Sequence, residues 1–411
     1  MNAETIEQAA AAWLATVDPV TLQLATRYTQ GGHWLLLWEA LITIALSLLL
    51  VRSGMASRVA LRLERRGISI VFCAFSVSGV VLLALSALAL PWDFYVDWYR
   101  ERHYGLTDSS PGAWFIERLI EAVLLALVLG LFFALFYGLL RVIRRHRSLW
   151  LGLLTAAFMT GLLLLYPVAI APLFNTFEPA PSGDVREAVS ALAHRSGIRS
   201  EAIFLYDGST QSNRYTASVK GIGTHARILL SDTMFRDGVD LQAIEAVVAH
   251  EIGHYAEQHV AWSIAFYAIF VAGLFALLQL LFLRAAHLVY RGAAPRIEDP
   301  AGLPVIIALF TVLSLLATPL ESSFRRLLEN RADAYSLNLA REPDGLIRAL
   351  LQTVDYRAPQ PSLIEEAVFY EHPSIAHRIE VALRWKEANT RGDFKMSPPS
   401  STLSAASGSG R

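Results

Sequence analysis

The stretch that decides the fold runs from residue 241 to residue 289, LQAIEAVVAHEIGHYAEQHVAWSIAFYAIFVAGLFALLQLLFLRAAHLV. In its first part, Ile244, Val248 and Ile252 recur at the spacing of one helical face. Its second part, 261–284, is apolar and long enough to cross a bilayer, which takes about 20 residues. The pattern therefore predicts a helix that emerges from a membrane with little interruption.

The polar part of this stretch carries the sequence His250-Glu251-Ile252-Gly253-His254. Histidines four residues apart lie on one helical face, so both imidazoles can bind the same Zn²⁺. The glutamate between them is in reach of a metal-activated water and can act as general base. A solvated helix with two ordinary histidines is the alternative, and the amphipathic flanks favour the zinc site.

The whole chain has the composition of a polytopic membrane protein. It has 411 residues, of which 54% are hydrophobic and 17% charged, and its mean hydropathy is +0.41. Six apolar runs of spanning length occur in it, at roughly 34–51, 68–91, 120–140, 150–173, 261–284 and 302–320. The 35 Lys and Arg residues balance 36 Asp and Glu, which argues against a nucleic-acid partner.

These runs divide the chain into six parts. We expect a mainly α-helical membrane protein with a split, zincin-like zinc-protease domain that contains a small β-sheet. The parts are an N-terminal segment (1–32), a membrane domain of four spans (33–174), the first half of the zinc-protease domain (175–260), a membrane hairpin of two spans (261–324), the second half of that domain (325–388) and a disordered tail (389–411). Strands are predicted at 202–207 and 227–231, and a helix at 184–196.

A third metal ligand is needed beyond the two histidines. Cys73 is the single cysteine, so the ligand must be His, Asp or Glu. His259 is out of register for the extended histidine motif and is expected to be a polar residue at the membrane surface. Glu329 and Asp333, four apart on one predicted helical face after Pro319, suit one metal ligand and one carboxylate that orients a ligand histidine. An exposed helix with arginine partners is the alternative.

Several segments together resemble the CAAX prenyl endoproteases of Ste24 type and their bacterial relatives. They lie between about Trp92 and Lys386 and are the two motifs above, Phe174–Pro179, Asp207–Tyr215, Arg227–Thr233 and His372-Pro373-Ser374. The resemblance implies Glu329 as the third zinc ligand, Asp333 as the partner of a ligand histidine and His372 beside the reacting carbonyl. It also implies substrate-backbone binding at Asn213 and Tyr215, with Arg214 where the family has alanine.

The sequence thus predicts a zinc endopeptidase with one Zn²⁺ per chain, which cuts peptides or membrane proteins at the bilayer, with prenylated CAAX-type proteins as candidates. A quality-control protease for damaged membrane proteins is the alternative. A site-two-type protease is disfavoured because Leu-Asp-Gly is absent from the sequence, and a transporter with structural zinc because such a site would need no Glu251. The oligomeric state stays open.

The basic residues predict the orientation in the membrane. Arginines crowd the short loops around 52–66, 141–147 and 284–296, whereas the N-terminal segment and the loop at 92–119 hold few. Basic residues in short loops stay in the cytoplasm. With four spans before the zinc domain, we therefore expect a bacterial inner-membrane protein with its zinc domain in the periplasm, the metal lying at the membrane boundary after a sixth span that ends or bends at Pro319.

Overall fold

The computed structural model describes residues 3–199, 202–214, 216–221, 226–235 and 238–390. It is mostly helical. The helices are α1 (Ala3–Leu14), α2 (Pro19–Ser53), α3 (Met55–Arg65), α4 (Ile70–Asp93), α5 (Glu101–His103), α6 (Pro111–Val142), α7 (Arg147–Leu165), α8 (Asp184–Arg195), α9 (Leu241–Ala256), α10 (His259–Val289), α11 (Leu303–Ala340), α12 (Pro343–Gln352), α13 (Leu363–Phe369) and α14 (Ile375–Thr390).

Six helices in the described part of the chain are long and apolar enough to cross a membrane, as predicted. They are α2, the continuous rod of α4 and α5 with the π-helical turns Phe94–Arg100 between them, α6, α7, α10 and α11. Polar caps extend several of them beyond their apolar runs. Asp18 accepts a hydrogen bond from Thr21 N (3.1 Å), so α2 begins well before residue 34.

The membrane helices pack closely where small residues allow it. A Cβ added at Gly152 of α7 would lie 2.6 Å from the carbonyl oxygen of Ala268 on α10. Glycine therefore sets the separation of these two helices, as is common in membrane bundles. The buried core of the bundle includes Cys73, Tyr137 and Phe282.

The N-terminal segment folds onto the zinc domain. Helix α1 buries Ile6, Ala10 and Leu14 in a cluster that also contains Ile347 and Ile379, from α12 and α14. The N-terminus and the second half of the zinc domain consequently lie on the same side of the membrane helices.

The four strands of the described residues form one mixed sheet in the order β1-β2-β4-β3. They are β1 (Phe177–Pro179), β2 (Ile203–Tyr206), β3 (Ala217–Lys220) and β4 (Arg227–Ser231). Strands β2 and β4 pair in parallel and match the two predicted strands, while β1 and β3 are short antiparallel additions. Helices α8 and α9 cover the sheet, and β3 is its edge strand beside α9.

Two expectations about helix ends were wrong. The helix at 241–289 is divided, because Gln258 has a left-handed φ of 56° and separates α9 from α10. The predicted end of the sixth span at Pro319 is wrong, since α11 runs through it to Ala340, while a bend there stays a prediction. Helices within a membrane bundle tolerate proline because neighbouring helices and local adjustments of the backbone compensate for the missing hydrogen bond.

Candidate active site

The site forms where α9 and α11 approach each other most closely. Gly253, inside the histidine motif, faces Ala332 and Tyr335, and a Cβ added at Gly253 would lie 3.0 Å from Tyr335 Cβ and 3.1 Å from Ala332 O. No larger residue fits at that separation without moving a helix. This contact places His250 and His254 of α9 opposite Glu329 of α11.

The side chains of His250, His254 and Glu329 converge on one point. His250 Nε2 lies 3.1 Å from His254 Nε2 and 3.2 Å from Glu329 Oε2, and His254 Nε2 lies 3.4 Å from Glu329 Oε1. Zinc at about 2.0–2.1 Å from each ligand would separate tetrahedral ligands by roughly 3.3 Å. Glu329 Oε2 is buried without a hydrogen bond to the described residues. The three side chains therefore fit a metal ion.

His250 is held in place from its other ring nitrogen. Its Nδ1 lies 2.9 Å from Asp333 Oδ1, and Asp333 in turn accepts two hydrogen bonds from Arg378 of α14, at 2.7 Å and 2.6 Å. Burial lowers the pKa of Arg378, but the Asp333 carboxylate outweighs it and raises that pKa above its usual value. The sequence reasoning missed Arg378, which lies 45 residues after Asp333 and belongs to no motif.

Glu251 lines a cleft of about 700 Å³ between the zinc domain and the membrane helices. Burial raises the pKa of this carboxyl group. The cleft is bounded by the sheet edge at Lys220 and by apolar residues of the spans, among them Leu162, Leu163, Val260, Ile264 and Phe324. A cleft with mixed polar and apolar walls thus lies in front of His254 and Glu329.

His372 lies in the connection between α13 and α14, with Nε2 3.4 Å from Glu329 Oε2, and it lines the cleft. Burial and the nearby Arg357 charge lower the pKa of His372 to about 3. The imidazole is therefore neutral at physiological pH and can donate one hydrogen bond.

His259 is not the surface residue that the sequence suggested. Only 2% of it is exposed, and its Nδ1 lies 2.9 Å from Nδ1 of His254. It begins α10 directly after the turn at Gln258, which folds it back against the metal-ligand set.

The structure describes one of the two predicted substrate-binding residues. Tyr215 lies outside the described residues. Asn213 bonds with the loop after α5, since its Nδ2 donates to Asp108 Oδ2 at 2.9 Å and its backbone N to Leu106 O at 3.0 Å. The neighbouring Arg214 reaches α2 and α5, where it donates to Tyr28 Oη (2.8 Å) and Glu101 Oε2 (2.9 Å).

Two histidines one helical turn apart and a carboxylate, placed at the edge of a membrane bundle, define the class of integral-membrane metalloproteases. Residues 179–386 match the model of peptidase family M48, and residues 4–176 match the model described as CAAX prenyl protease N-terminal, five membrane helices. The chain belongs to peptidase family M48. The match to the N-terminal model begins at residue 4, so the similarity extends further towards the N-terminus than Trp92, from which the sequence motifs indicated it.

Relatives over most of the chain agree with this assignment. The uncharacterized metalloprotease YhfN of Bacillus subtilis is 26% identical over 388 residues, 92% of this chain and 89% of its own length. CAAX prenyl protease 1 of Saccharomyces cerevisiae is 27% identical over 368 residues, 84% and 76% of the two chains. The crystal structure of S. mikatae Ste24p has the same fold, with a TM-score of 0.74 and 22% identity over 90% of this chain and 89% of that one.

Proposed function

We propose that the protein is a zinc-dependent endopeptidase that hydrolyses peptide bonds of membrane-associated substrates. The observation that carries the proposal is the convergence of His250, His254 and Glu329 at tetrahedral separations beside Glu251, at the membrane boundary. Two imidazoles and one carboxylate, with a fourth position left for water, form the donor set of catalytic rather than structural zinc sites.

The residues around the metal would have separate roles in hydrolysis: metal binding, proton transfer and stabilisation of the oxyanion. His250, His254 and Glu329 would hold a zinc ion, which would supply Lewis acidity for activating water and polarising the scissile carbonyl. Glu251 accepts the proton of the attacking water and delivers it to the leaving amine. His372, neutral and directed at the same point, donates a hydrogen bond to the oxyanion that develops on the carbonyl.

Asp333 and Arg378 act through His250 rather than on the substrate. Asp333 fixes the tautomer of the imidazole by accepting from Nδ1, which leaves Nε2 free for the metal. Arg378 keeps Asp333 charged and prevents it from turning away. Asp333 and Arg378 are thus positioning residues.

Substrates would enter from the membrane side of the cleft. Its apolar wall belongs to α7, α10 and α11, so a peptide near the bilayer surface can reach Glu251. Strand β3 follows Asn213 and Tyr215 in the sequence. Among the described strands it pairs only with β4, so its other edge can pair with an extended peptide. Prenylated CAAX-type substrates are proposed from the names of the eukaryotic relatives.

A second candidate function is quality control of damaged membrane proteins. The bacterial relative that matches 92% of the chain is named an uncharacterized metalloprotease, a name that is compatible with either function. Both functions use the same residues and the same chemistry.

We further propose a bacterial inner-membrane location with the zinc domain in the periplasm. The packing of α1 against α14 supports an even number of spans between the N-terminus and the zinc domain, and the arginine-rich loops, including α3, lie at the opposite ends of the spans. The domain boundaries proposed above follow the same division into spans and soluble halves.

Comparative proteomics of membranes tests the function. Cells that carry Glu251→Gln should accumulate uncut substrates relative to cells with the native protein, and Glu245→Gln, a matched change on the same helix outside the cleft, should not. Accumulation of proteins with a C-terminal prenylation motif would support the first candidate, and accumulation of assorted misfolded membrane proteins the second. Identical proteomes for Glu251→Gln and native cells would contradict both.

A further inference from the structure

A second cavity of about 250 Å³ adjoins the cleft, and we call it the side pocket. His372 and Glu371 line both the cleft and the side pocket. The remaining walls come from α2, from the loop between α12 and α13, and from the residues around the start of α14. A peptide bound beside His372 would therefore have part of its length within reach of the side pocket.

One charged group in the side pocket is not neutralised. His33 Nδ1 lies 3.2 Å from Glu365, and Arg325 Nη1 donates to Glu371 at 3.1 Å. Arg357 also lines the side pocket, and its side chain has no ion pair or hydrogen bond with another residue in the part of the chain that the structure describes. Its guanidinium contributes one positive charge that no carboxylate of the described residues pairs with.

The unmet donors of Arg357 favour an anion. A guanidinium has five N–H donors and no acceptor, and leaving a charged donor half-buried without a partner is costly. Burial lowers the pKa of Arg357, while the group stays protonated at neutral pH. A planar, bidentate anion such as a carboxylate would satisfy two of the N–H groups at once.

The surrounding charges strengthen this preference. The charges of Arg378 and Arg214 lower the pKa of Arg357 further, whereas Tyr356 and Glu329 raise it. Each of these neighbours already has its own carboxylate, Glu101 for Arg214 and Asp333 for Arg378. The positive potential at Arg357 is thus not cancelled by a carboxylate of its own.

The backbone next to Arg357 is fixed from three directions. Ala358 N donates to Thr29 Oγ1 of α2 at 2.8 Å, and Tyr370 Oη donates to Ala358 O at 3.2 Å. Ala376 N of α14 donates to Pro359 O at 3.1 Å. Such a pinned loop holds the guanidinium in position before a ligand arrives, which reduces the entropic cost of binding.

We propose that Arg357 binds a carboxylate of the peptide substrate, so that the protein selects peptides with a carboxylate a short distance from the bond that is cut. The inference rests on the proposed function, because it takes the scissile bond to lie beside His372. The C-terminal carboxylate of a peptide and an Asp or Glu side chain present the same chemistry, and the experiment separates these two sources.

The experiment measures binding instead of turnover. The full-length Glu251→Gln protein, loaded with zinc in detergent micelles, is titrated by calorimetry with the tripeptide Ala-Val-Leu, with its C-terminal amide and with Ala-Asp-Leu amide. We expect the free acid, or the aspartate-containing amide, to bind about tenfold or more tightly than Ala-Val-Leu amide, since a hydrogen-bonded charge is worth that much. The preferred peptide identifies the source of the carboxylate.

Variants of Arg357 test whether the carboxylate of the peptide binds at this residue. Arg357→Gln should remove the preference and Arg357→Lys should keep part of it, whereas Arg384→Gln, an exposed arginine of α14, should behave as the parent. Zinc content and the thermal unfolding midpoint verify that Arg357→Gln is folded; if it is not, the comparison rests on Arg357→Lys, which should bind the preferred peptide more weakly than the parent. Equal binding of all three peptides by the parent would overturn the proposal, and so would a preference that persists unchanged in Arg357→Gln or Arg357→Lys, which would place the carboxylate on zinc. Failure of the proposed function would appear separately, as absent cleavage by the native protein.

Discussion

His250 Nδ1 lies 2.9 Å from Asp333 Oδ1, although 83 residues and a membrane hairpin separate them in the chain. The contact joins α9 to α11 at the point where the metal ligands meet. It connects the geometry of the zinc domain to that of the fifth and sixth spans, because α11 is the sixth span itself. A change in the packing of these spans would therefore reach the metal ligands directly.

The two carboxylates of α11 should differ in their effect on zinc. Glu329→Ala removes a proposed ligand and should lower zinc content to well below one per chain. Asp333→Ala removes only the partner of His250 and should weaken zinc affinity about 10- to 100-fold. Zinc titration against a chelator measures both. If Asp333→Ala empties the site while Glu329→Ala leaves it full, the two assignments are reversed.

Gly253→Ala should disturb the site through helix packing. The new methyl group would press on Tyr335 and on Ala332 O, and overpacking of this kind costs about 1–3 kcal/mol. We expect a lower unfolding midpoint in detergent and weaker zinc binding. Gly161→Ala on α7 is the control, because a Cβ there meets no atom within 4 Å. Equal midpoints for the two variants would show that α9 and α11 are not in tight contact at Gly253.

The acid stability of the zinc domain should depend on Asp240. Its side chain accepts from Ala243 N at the start of α9 and pairs with Arg348 at 2.6 Å, and the Arg348 hydrogen bond lowers the pKa of Asp240. The stabilisation is present above the unfolded-state pKa of about 3.9 and is lost as the pH falls through the lower, folded-state pKa.

Asp240→Asn should therefore lower the unfolding midpoint at pH 7, and the difference from the native protein should shrink as the pH falls below about 4. Thermal unfolding in detergent at several pH values measures it. Asp184→Asn, at an exposed residue that begins α8, serves as the comparison. A difference between native and Asp240→Asn that grows with acid would contradict the assigned pKa direction.

The orientation can be tested with single cysteines in a Cys73→Ala background. Ser182, exposed in the zinc domain, and Arg144, exposed between α6 and α7, lie on the two proposed sides. In intact cells, an impermeant thiol reagent should label a cysteine at position 182 and not one at position 144. The reverse pattern would put the zinc domain in the cytoplasm.

Hydrophobic periodicity and residue spacing predicted the features that lie within a single helix or strand. The six spans, strands β2 and β4, and the side-by-side placement of Glu329 and Asp333 all follow from periodicity within one element. Periodicity could not show that α9 ends at Ala256, because the left-handed turn at Gln258, a non-glycine residue, leaves no mark in the apolar pattern. Pro319 does leave a signal in the sequence, but it does not end the helix, because a proline inside a membrane bundle is tolerated.

The parts of the site that the sequence did not predict are those formed by contacts between residues far apart in the chain. Arg378 and Arg357 were not part of the motifs singled out in the sequence. Their positions depend on tertiary contacts, since Arg378 bonds to Asp333 of α11 and the residue after Arg357 bonds to Thr29 of α2. Strand β3 is only four residues long and is defined by its pairing with β4. Such contacts depend on tertiary packing, for which a single sequence has no periodic signal.

Zinc binding and proton transfer are assigned to different residues of the same motif, His250 and His254 for the metal and Glu251 for the proton. The most direct measurement compares zinc content and peptide cleavage for the purified native protein, Glu251→Gln and Glu245→Gln. The account predicts one zinc per chain in all three and a loss of cleavage of about 10²- to 10⁴-fold or more in Glu251→Gln alone. Full zinc occupancy with undiminished cleavage in Glu251→Gln would contradict it.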